Sequence, residues 1–346
     1  MYLLPTLLPL LGLSTQLSHA ASYSLADDFG TGSSFFDKFD FFTSPDPTNG
    51  YVKYVDRATA NADGLVSSPN GSVYMGVDYK NIASGGRESV RITSKKSYTH
   101  GLFILDLAHM PGGICGTWPA YWLLGSNWPT NGEIDIIEGV HDQTHNAMAS
   151  HTSNGCRIDG SGFSGSLGTS NCYDAAPDQP TNAGCSITDA SATSYGAGFN
   201  AANGGVFATE WTSDAISIWF FSRGSIPGDI ARGTPDPGSW GTPSARFAGQ
   251  CDIDAHFKGM QIVFDTTFCG GWAGATWGST SCASKASSCE NYVANNPSAF
   301  RDAYWSINSL RVYQQGSSTT RGLPDAPSKP SGLVKMHQHA RLGHAA

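Results

Sequence analysis

The most informative segment of this chain is Asn131-Gly132-Glu133-Ile134-Asp135-Ile136-Ile137-Glu138-Gly139-Val140. Three carboxylic acids stand within six residues, and the residues between them are mostly isoleucine. Alternate side chains of a β-strand point to opposite faces, so Glu133 and Asp135 share one face while Ile134 lies on the other. The pattern predicts a strand from Glu133 to Val140 with a buried apolar face and an acidic face.

Glu138 follows Glu133 by five positions, which in a regular strand would send it to the apolar face. A β-bulge adds one residue and restores the alternation, so we expect a bulge at Ile136-Ile137. The two glutamates would then be two same-face intervals apart, each of roughly 6.5–7 Å. Long side chains can close that gap to the ~5–5.5 Å that a retaining glycosidase requires between its carboxyl groups.

Paired glutamates supply the two carboxyl groups that a retaining glycosidase mechanism requires. One ionised carboxylate attacks the anomeric carbon, and a second, protonated carboxyl group donates to the leaving oxygen. Asp135 lies between the two glutamates and can hydrogen-bond Glu133, orient it and share a proton with it. The alternative is a solvated acidic edge strand, but the isoleucines and the cost of clustering like charges favour a catalytic role.

Other strand-like segments follow the same period of two, and no convincing amphipathic helix is found. They are residues 89–93, 101–107, 120–124, 207–211, 215–221, 260–264 and 304–313. Turns are rich in Gly, Asn, Asp and Pro, with 41 glycines in the chain. The pattern predicts an all-β sandwich or jelly roll in one domain, residues 21–315.

The two ends of the chain differ from this domain. The apolar run from Leu3 to Leu17, followed by Ser18-His19-Ala20, predicts a secretory signal peptide over residues 1–20. The run is too short and too interrupted by proline for a membrane span. From Gly316 onward Ser, Thr, Pro and Lys dominate, which predicts a disordered tail over residues 316–346.

The eight cysteines fit disulfides in an oxidising compartment, and the absence of a CxxC pair argues against a zinc ribbon. Their pairing stays open, with 105 combinations. Three fall within Gly155–Asn203, a Gly/Ser/Ala/Asn-rich segment expected to be a long, disulfide-pinned loop near the functional face. The sequon Asn70-Gly71-Ser72 should be an exposed glycosylation site.

Composition excludes several classes of protein. With 20 basic against 28 acidic residues and no Lys/Arg cluster, the chain is not expected to bind nucleic acid. His141 and His145 have the spacing of metal ligands but lack an HExxH context, and no GxSxG motif supports a serine esterase. We expect no metal, no cofactor and no membrane association, and a monomeric protein.

The acidic segment resembles the motif Glu-x-Asp-x-(x)-Glu of glycoside hydrolase family 16, with the longer spacing of its laminarinase-like members. Further segments resemble fungal members of the family, namely residues 116–124, 196–199, 220–226, 268–274 and 302–307. The resemblance covers residues 23–314. It implies a concanavalin A-like β-jelly-roll sandwich of two antiparallel sheets, with a substrate cleft on the concave face.

The resemblance also implies a secreted, retaining endo-β-glucanase acting on β-1,3 and mixed β-1,3/1,4-glucan polysaccharide. By it, Glu133 is the nucleophile, Asp135 its helper and Glu138 the acid/base, while His151 on the following strand is similar to a cleft histidine. Two alternatives stay open. A non-catalytic β-glucan-binding protein of this fold is disfavoured by the presence of both glutamates, and family transglycosylases typically carry the shorter motif.

Four further residues are candidates for substrate binding. A tryptophan face can cover a glucose ring, although most tryptophans in a sandwich fill its core. Trp272 lies between glycines in a loop, where we expect it to stack on glucose in the glycone half of the cleft, and Trp128 and Trp122 are the other aromatic candidates. Arg91 is expected either to bind glucose hydroxyls or to be a solvated surface residue.

Overall fold

The computed structural model describes residues 22–316. Its strands are, in chain order, β1 (Tyr23–Asp28), β2 (Phe39–Phe41), β3 (Val52–Tyr54), β4 (Val66–Ser67), β5 (Val73–Gly76), β6 (Arg87–Ser89), β7 (Arg91–Tyr98), β8 (Gly101–His109), β9 (Thr117–Leu124), β10 (Glu133–Glu138), β11 (Ala147–His151), β12 (Arg157–Ile158), β13 (Ser166–Thr169), β14 (Cys185–Thr188), β15 (Gly205–Trp211), β16 (Ile216–Ser222), β17 (Ala245–Phe247), β18 (Gly249–Gln250), β19 (Met260–Phe268) and β20 (Tyr304–Gln315).

The helices of the described residues are short. The α-helices are α1 (Arg57–Ala62), α2 (Gly196–Ala201), α3 (Gly228–Arg232), α4 (Ile253–His256) and α5 (Cys289–Asn295). Short 3-10 helices cover Ser33–Lys38, Pro69–Gly71, Arg223–Ser225, Pro237–Ser239, Trp277–Ser279, Ser281–Ser284 and Pro297–Phe300, and a short π-helix covers Gly270–Gly274. Within residues 22–316, none of the helices is long and apolar enough to cross a membrane.

The strands build two eight-stranded sheets whose pairings are all antiparallel. One, the β20 sheet, has the order β17-β16-β15-β8-β20-β5-β4, with β1 also paired to β20. The other, the β10 sheet, has the order β13-β14-β11-β10-β9-β19-β7-β2. Two small ladders, β3 with β6 and β12 with β18, lie outside them. The all-β jelly-roll sandwich predicted from the alternation of side chains is confirmed.

The main core lies between the two sheets. Ile134, Ile136 and Ile137 of β10 are fully buried and pack in one cluster with residues of the β20 sheet such as Leu105 and Ile307. Each such side chain stabilises the sandwich by roughly 1.5–3 kcal/mol through its removal from water. The carboxylates that alternate with them therefore project from the other face of the β10 sheet, away from this core.

Two details of the sequence interpretation were wrong. Residues 89–93 form no single strand, because β6 ends at Ser89 to pair with β3 while β7 begins at Arg91 to pair with β19. The segment Gly155–Asn203 is not a long loop, since it contains β12, β13, β14 and α2. Strands β13 and β14 extend the β10 sheet beyond β11, and four residues each were too few to show a period.

All eight cysteines are paired, as their number predicted. The disulfides are Cys115–Cys282, Cys156–Cys251, Cys172–Cys185 and Cys269–Cys289. Asn70 of the sequon is exposed. The signal peptide predicted at residues 1–20 lies outside the described residues, as does the predicted tail apart from Gly316.

Candidate active site

A β-bulge brings the three acids of β10 onto one face. Along β9, Asp135 pairs with Trp122 and Ile137 with Tyr121, so Ile136 is the extra residue. The register against β11 shifts over the same interval, between Asp135 and Glu138. The bulge predicted at Ile136-Ile137 is confirmed, and Glu138 returns to the face that carries Glu133 and Asp135.

Glu133 belongs to a cluster of acids around His151. Glu133, Asp135 and His151 each place one side-chain atom within 4.8 Å of the others. Nε2 of His151 lies 3.4 Å from Oδ2 of Asp135, and its Nδ1 lies 3.3 Å from Oδ1 of Asp174. The imidazole is thus held between two buried aspartates, directly across the ladder from Glu133.

Glu138 has different neighbours. Nε1 of Trp118 donates a 2.8 Å hydrogen bond to Oε1 of Glu138. The Trp118 ring in turn packs edge-on against Trp272, with ring centroids 5.7 Å apart. The half-buried Trp272 therefore contacts Trp118 at the Glu138 end of the acidic face of β10.

The surroundings of Glu133, Glu138 and His151 shift the pKa of each of these side chains. Burial, followed by the negative charge of Asp135, raises the pKa of Glu133, while His151 and Trp128 oppose that rise. The same two causes, in the same order, raise the pKa of Glu138 well above its ordinary value. Burial alone would lower the pKa of His151, but its bonds to Asp135 and Asp174 outweigh burial and raise it well above the ordinary value.

The acidic limb of the pH profile should report the ionisation of Glu133, and the positive charge of His151 should hold that limb at lower pH. We expect His151→Ala to move that limb of kcat/KM to higher pH by about 1 unit, the scale of a nearby opposite charge. The sign follows because loss of a cation beside Glu133 raises the pKa of Glu133 further, so the carboxylate is lost earlier as pH falls. The measurement is kcat/KM on laminarin across pH.

The matched control is His100→Ala, which removes a histidine that is paired with Asp254 and is not among the groups that shift the pKa of Glu133. Its acidic limb should coincide with that of the parent protein. A downward shift for His151→Ala, or equal shifts for both variants, would contradict the role assigned to His151.

Arg91 is not a solvated surface residue, so the second of its two alternatives was wrong. It is 8% exposed, and its guanidinium carbon lies 4.7 Å from the ring centroid of Phe42 and 5.0 Å from that of Trp122. Nε1 of Trp122 donates a 2.8 Å hydrogen bond to Asp265, which is the cross-strand partner of Arg91. Stacking between two aromatic rings buries Arg91 and fixes the orientation of Trp122.

Trp128 is the most exposed of the candidate aromatics. It is 44% exposed, precedes a cis peptide bond to Pro129, and its side chain is close enough to lower the pKa of Glu133. The structure thus brings all eight residues predicted from the sequence to one face of the β10 sheet. They are Arg91, Trp122, Trp128, Glu133, Asp135, Glu138, His151 and Trp272.

Among the described residues, Glu133, Asp135 and His151 could also offer ligand atoms to a metal ion. An imidazole ligates a metal only through an unprotonated nitrogen. Both nitrogens of His151 instead face aspartates, and its raised pKa favours the protonated form. The cluster is therefore better suited to proton and charge control than to holding a cation.

Three residues near the acids were missed from the sequence. Trp118 could have been predicted, because it lies four residues before Trp122 and therefore on the same face of strand β9. Asp174 and Asn146 gave no signal, since their contacts with His151 and with the backbone of β10 depend on how the segments after β11 and β10 fold back. Their positions are set by tertiary structure alone.

The fold, the bulged strand and the paired carboxylates define a glycoside hydrolase of the jelly-roll type. Residues 39–313 match the family model described as the XgeA-like, catalytic GH16 domain. The chain belongs to glycoside hydrolase family 16. It is 51% identical over 327 residues to a protein of Arthroderma benhamiae named endo-1,3(4)-beta-glucanase, covering 93% of this chain and 69% of that relative. It spans about half the length of the Aspergillus relatives that it also matches.

Solved structures agree with this assignment. Laminarinase 16A of family 16 from Phanerochaete chrysosporium, with β-glucans in its donor and acceptor sites, is 43% identical with a TM-score of 0.79. An elongating family 16 β-1,3-glucosyltransferase is 44% identical with a TM-score of 0.78. Both matches cover 85% of this chain and 100% of the solved chain.

Proposed function

We propose that this protein is a secreted, retaining endo-β-glucanase that cleaves β-1,3 and mixed β-1,3/1,4-glucans. The observation that carries the proposal is the bulged strand β10, which puts two glutamates with raised pKa values on one face. Relatives of known name support the substrate class, because the Arthroderma benhamiae protein is called an endo-1,3(4)-beta-glucanase. Four disulfides fit an oxidising, extracellular location.

The first chemical step forms a covalent intermediate. The ionised carboxylate of Glu133 attacks the anomeric carbon, and an ester bond forms as the glycosidic C–O bond breaks. Glu138, still protonated, donates its proton to the leaving oxygen, so the aglycone departs as a neutral alcohol. Asp135, held against His151, keeps the attacking carboxylate oriented.

The second step releases the sugar. Glu138, now ionised, removes a proton from a water molecule that attacks the same carbon from the opposite side. The ester bond breaks, Glu133 leaves as a carboxylate, and Glu138 is protonated again. Two inversions give net retention of the β configuration.

The aromatic residues around the acids supply the substrate contacts in this proposal. Trp122 and Trp128 lie beside Asp135 and Glu133, and Trp272 lies beyond Trp118. Arg91 is largely covered by Phe42 and Trp122, so its part is to rigidify Trp122 and to present at most one edge of its guanidinium to sugar hydroxyls.

Proton NMR of the first-formed product tests the mechanism. The β-anomer should appear first, and the α-anomer should follow only by mutarotation. Product profiles on laminarin, lichenan and carboxymethylcellulose test the linkage range in parallel, and short oligosaccharides are expected from the first two polymers only. Early α-anomer would remove Glu133 from the nucleophile's role.

A second candidate activity is glucan transfer, which the likeness to an elongating β-1,3-glucosyltransferase favours. Transfer uses the same covalent intermediate but replaces water by a sugar hydroxyl in the second step. Product analysis on laminarin with and without added laminaribiose separates the two. Hydrolysis predicts shortened products in both cases, whereas transfer predicts elongated products that increase with the acceptor.

Trp272 is expected to be a glucose platform and not a structural residue. Truncation to Ala should weaken transition-state binding on laminarin by on the order of 1–3 kcal/mol, borrowing the scale of stacking on aromatic side chains. Because Trp272 is only half-buried, the melting temperature should change little. The measurements are kcat/KM and the melting temperature of the same preparation.

Trp277, five residues later, is the matched control. It is 5% exposed and packs in the apolar cluster around the Cys115–Cys282 and Cys269–Cys289 disulfides. Trp277→Ala should lower the melting temperature strongly. If Trp272→Ala instead behaves like Trp277→Ala, with normal kinetics at permissive temperature, Trp272 is a core residue.

A further inference from the structure

The bulge in β10 leaves two backbone groups without ladder partners, and one buried side chain binds both. Asn146 comes directly before β11 and is fully buried. Its Nδ2 donates a 2.7 Å hydrogen bond to the carbonyl oxygen of Ile136, and its Oδ1 accepts a 3.0 Å bond from the backbone N–H of Glu138. The amide of Asn146 thus spans the bulge from Ile136 to the residue that must donate the proton.

Asn146 is itself held in place from outside the strand. Its backbone N–H donates a 3.0 Å hydrogen bond to Oγ of Ser194, which is fully buried, and its carbonyl oxygen accepts a 2.9 Å bond from the N–H of Asp189. Both backbone groups and both ends of the amide are therefore occupied. The Asn146 side chain cannot rotate without breaking these hydrogen bonds. The orientation of the Glu138 backbone therefore depends in part on Ser194, which lies 56 positions away in the sequence.

The sequence of β10 does not by itself secure the bulge. Ile136 and Ile137 are both apolar and both buried, and a slip of one residue would send Glu138 to the opposite face of the sheet. A donor and an acceptor at a fixed separation, as in an asparagine amide, satisfy the displaced carbonyl and N–H only in the bulged register. An alanine can satisfy neither, and an aspartate can accept from Glu138 but cannot donate to Ile136.

We propose that Asn146 is a positioning residue for the general acid, which keeps the carboxyl group of Glu138 aimed at the leaving oxygen. The proposal rests on the acid/base role proposed above for Glu138. Asn146 does not contact the substrate in this role. Proton donation by Glu138 then depends on the register of the bulge in β10.

The leaving-group dependence of kcat/KM tests this role. A poor leaving group, the sugar of laminaritetraose, needs the proton of Glu138, whereas 2,4-dinitrophenolate in 2,4-dinitrophenyl β-laminaribioside leaves without one. General acid catalysis is worth on the order of 10²–10⁴-fold. Asn146→Ala should therefore lose about 100-fold on laminaritetraose and only a few-fold on the dinitrophenyl substrate, with Asn146→Asp intermediate.

Asn200 provides a matched control of the same residue type. Its amide binds both backbone groups of a single residue, accepting from the N–H of Met110 and donating to its carbonyl oxygen, at 3.0 Å each. Asn200→Ala removes an equivalent pair of bonds at Met110, which follows β8 of the β20 sheet. It should lower the melting temperature while leaving the ratio of the two kcat/KM values as in the parent protein.

Glu138→Ala separates the possible failures. If this variant loses kcat/KM on laminaritetraose but keeps kcat/KM on the dinitrophenyl substrate, the acid role stands. Equal losses of kcat/KM on both substrates for Asn146→Ala and Asn146→Asp would then overturn the positioning role alone. If Glu138→Ala itself loses both activities equally, the proposed function of Glu138 fails and the role of Asn146 fails with it. Should Asn146→Ala not fold, the near-isosteric Asn146→Asp decides the outcome by the same ratio.

Discussion

Replacement of either Glu133 or Glu138 by Gln is expected to reduce turnover of laminarin by on the order of 10⁴-fold or more, the scale seen when a residue of a catalytic unit is removed. Glutamine keeps the shape of the side chain but can neither attack the anomeric carbon nor exchange a proton. The fold should be retained, because a neutral amide replaces a carboxyl group whose raised pKa already disfavours its charged form. Initial rates and melting temperatures of the purified variants measure both effects.

Azide distinguishes the two roles. In Glu133→Ala, azide can take the place of the missing nucleophile and should give the α-glycosyl azide. In Glu138→Ala, azide should attack the glycosyl-enzyme from the other face and give the β-glycosyl azide, best seen with the dinitrophenyl substrate. Near-normal hydrolysis by either variant, or exchanged azide products, would overturn the assignment of nucleophile and acid/base.

Strand β10 could be predicted in detail from the sequence, because its determinants are local. Alternation of isoleucine with acids fixed which face of β10 meets the core. The five-residue spacing of the glutamates required a bulge, and it lies at Ile136, within the pair of residues expected. Local spacing is enough here because each strand residue has only two directions in which to point.

The environment of the site could not be predicted in the same way. Arg91 has the pattern of a residue outside the core, yet Phe42 and Trp122 cover it from two other strands or loops. The charge of His151 depends on Asp174, which lies in a segment mistaken for a loop. Such contacts join residues far apart in the chain, and single-sequence periodicity carries no information on them.

Removal of the Cys115–Cys282 disulfide should cause the largest loss of stability of any single cross-link in the protein. The bond joins residues 167 positions apart, the longest separation of the four. Because a cross-link lowers the entropy of the unfolded chain more as its loop lengthens, the double variant Cys115→Ala/Cys282→Ala should lose about 5 kcal/mol of unfolding free energy. Guanidinium denaturation of the variant and the parent measures the difference.

The Cys172–Cys185 disulfide is the comparison, since it closes a separation of only 13 residues. The double variant Cys172→Ala/Cys185→Ala should lose about 3 kcal/mol by the same relation.

The short disulfide lies in the segment that supplies Asp174, so its removal should also affect kcat/KM through His151. Cys115–Cys282 instead belongs to the apolar cluster with Cys269 and Trp277, which anchors the loop of Trp272. A greater loss of stability from the short bond than from the long one would show that strain or local packing, and not loop closure, decides how these cross-links stabilise the sandwich.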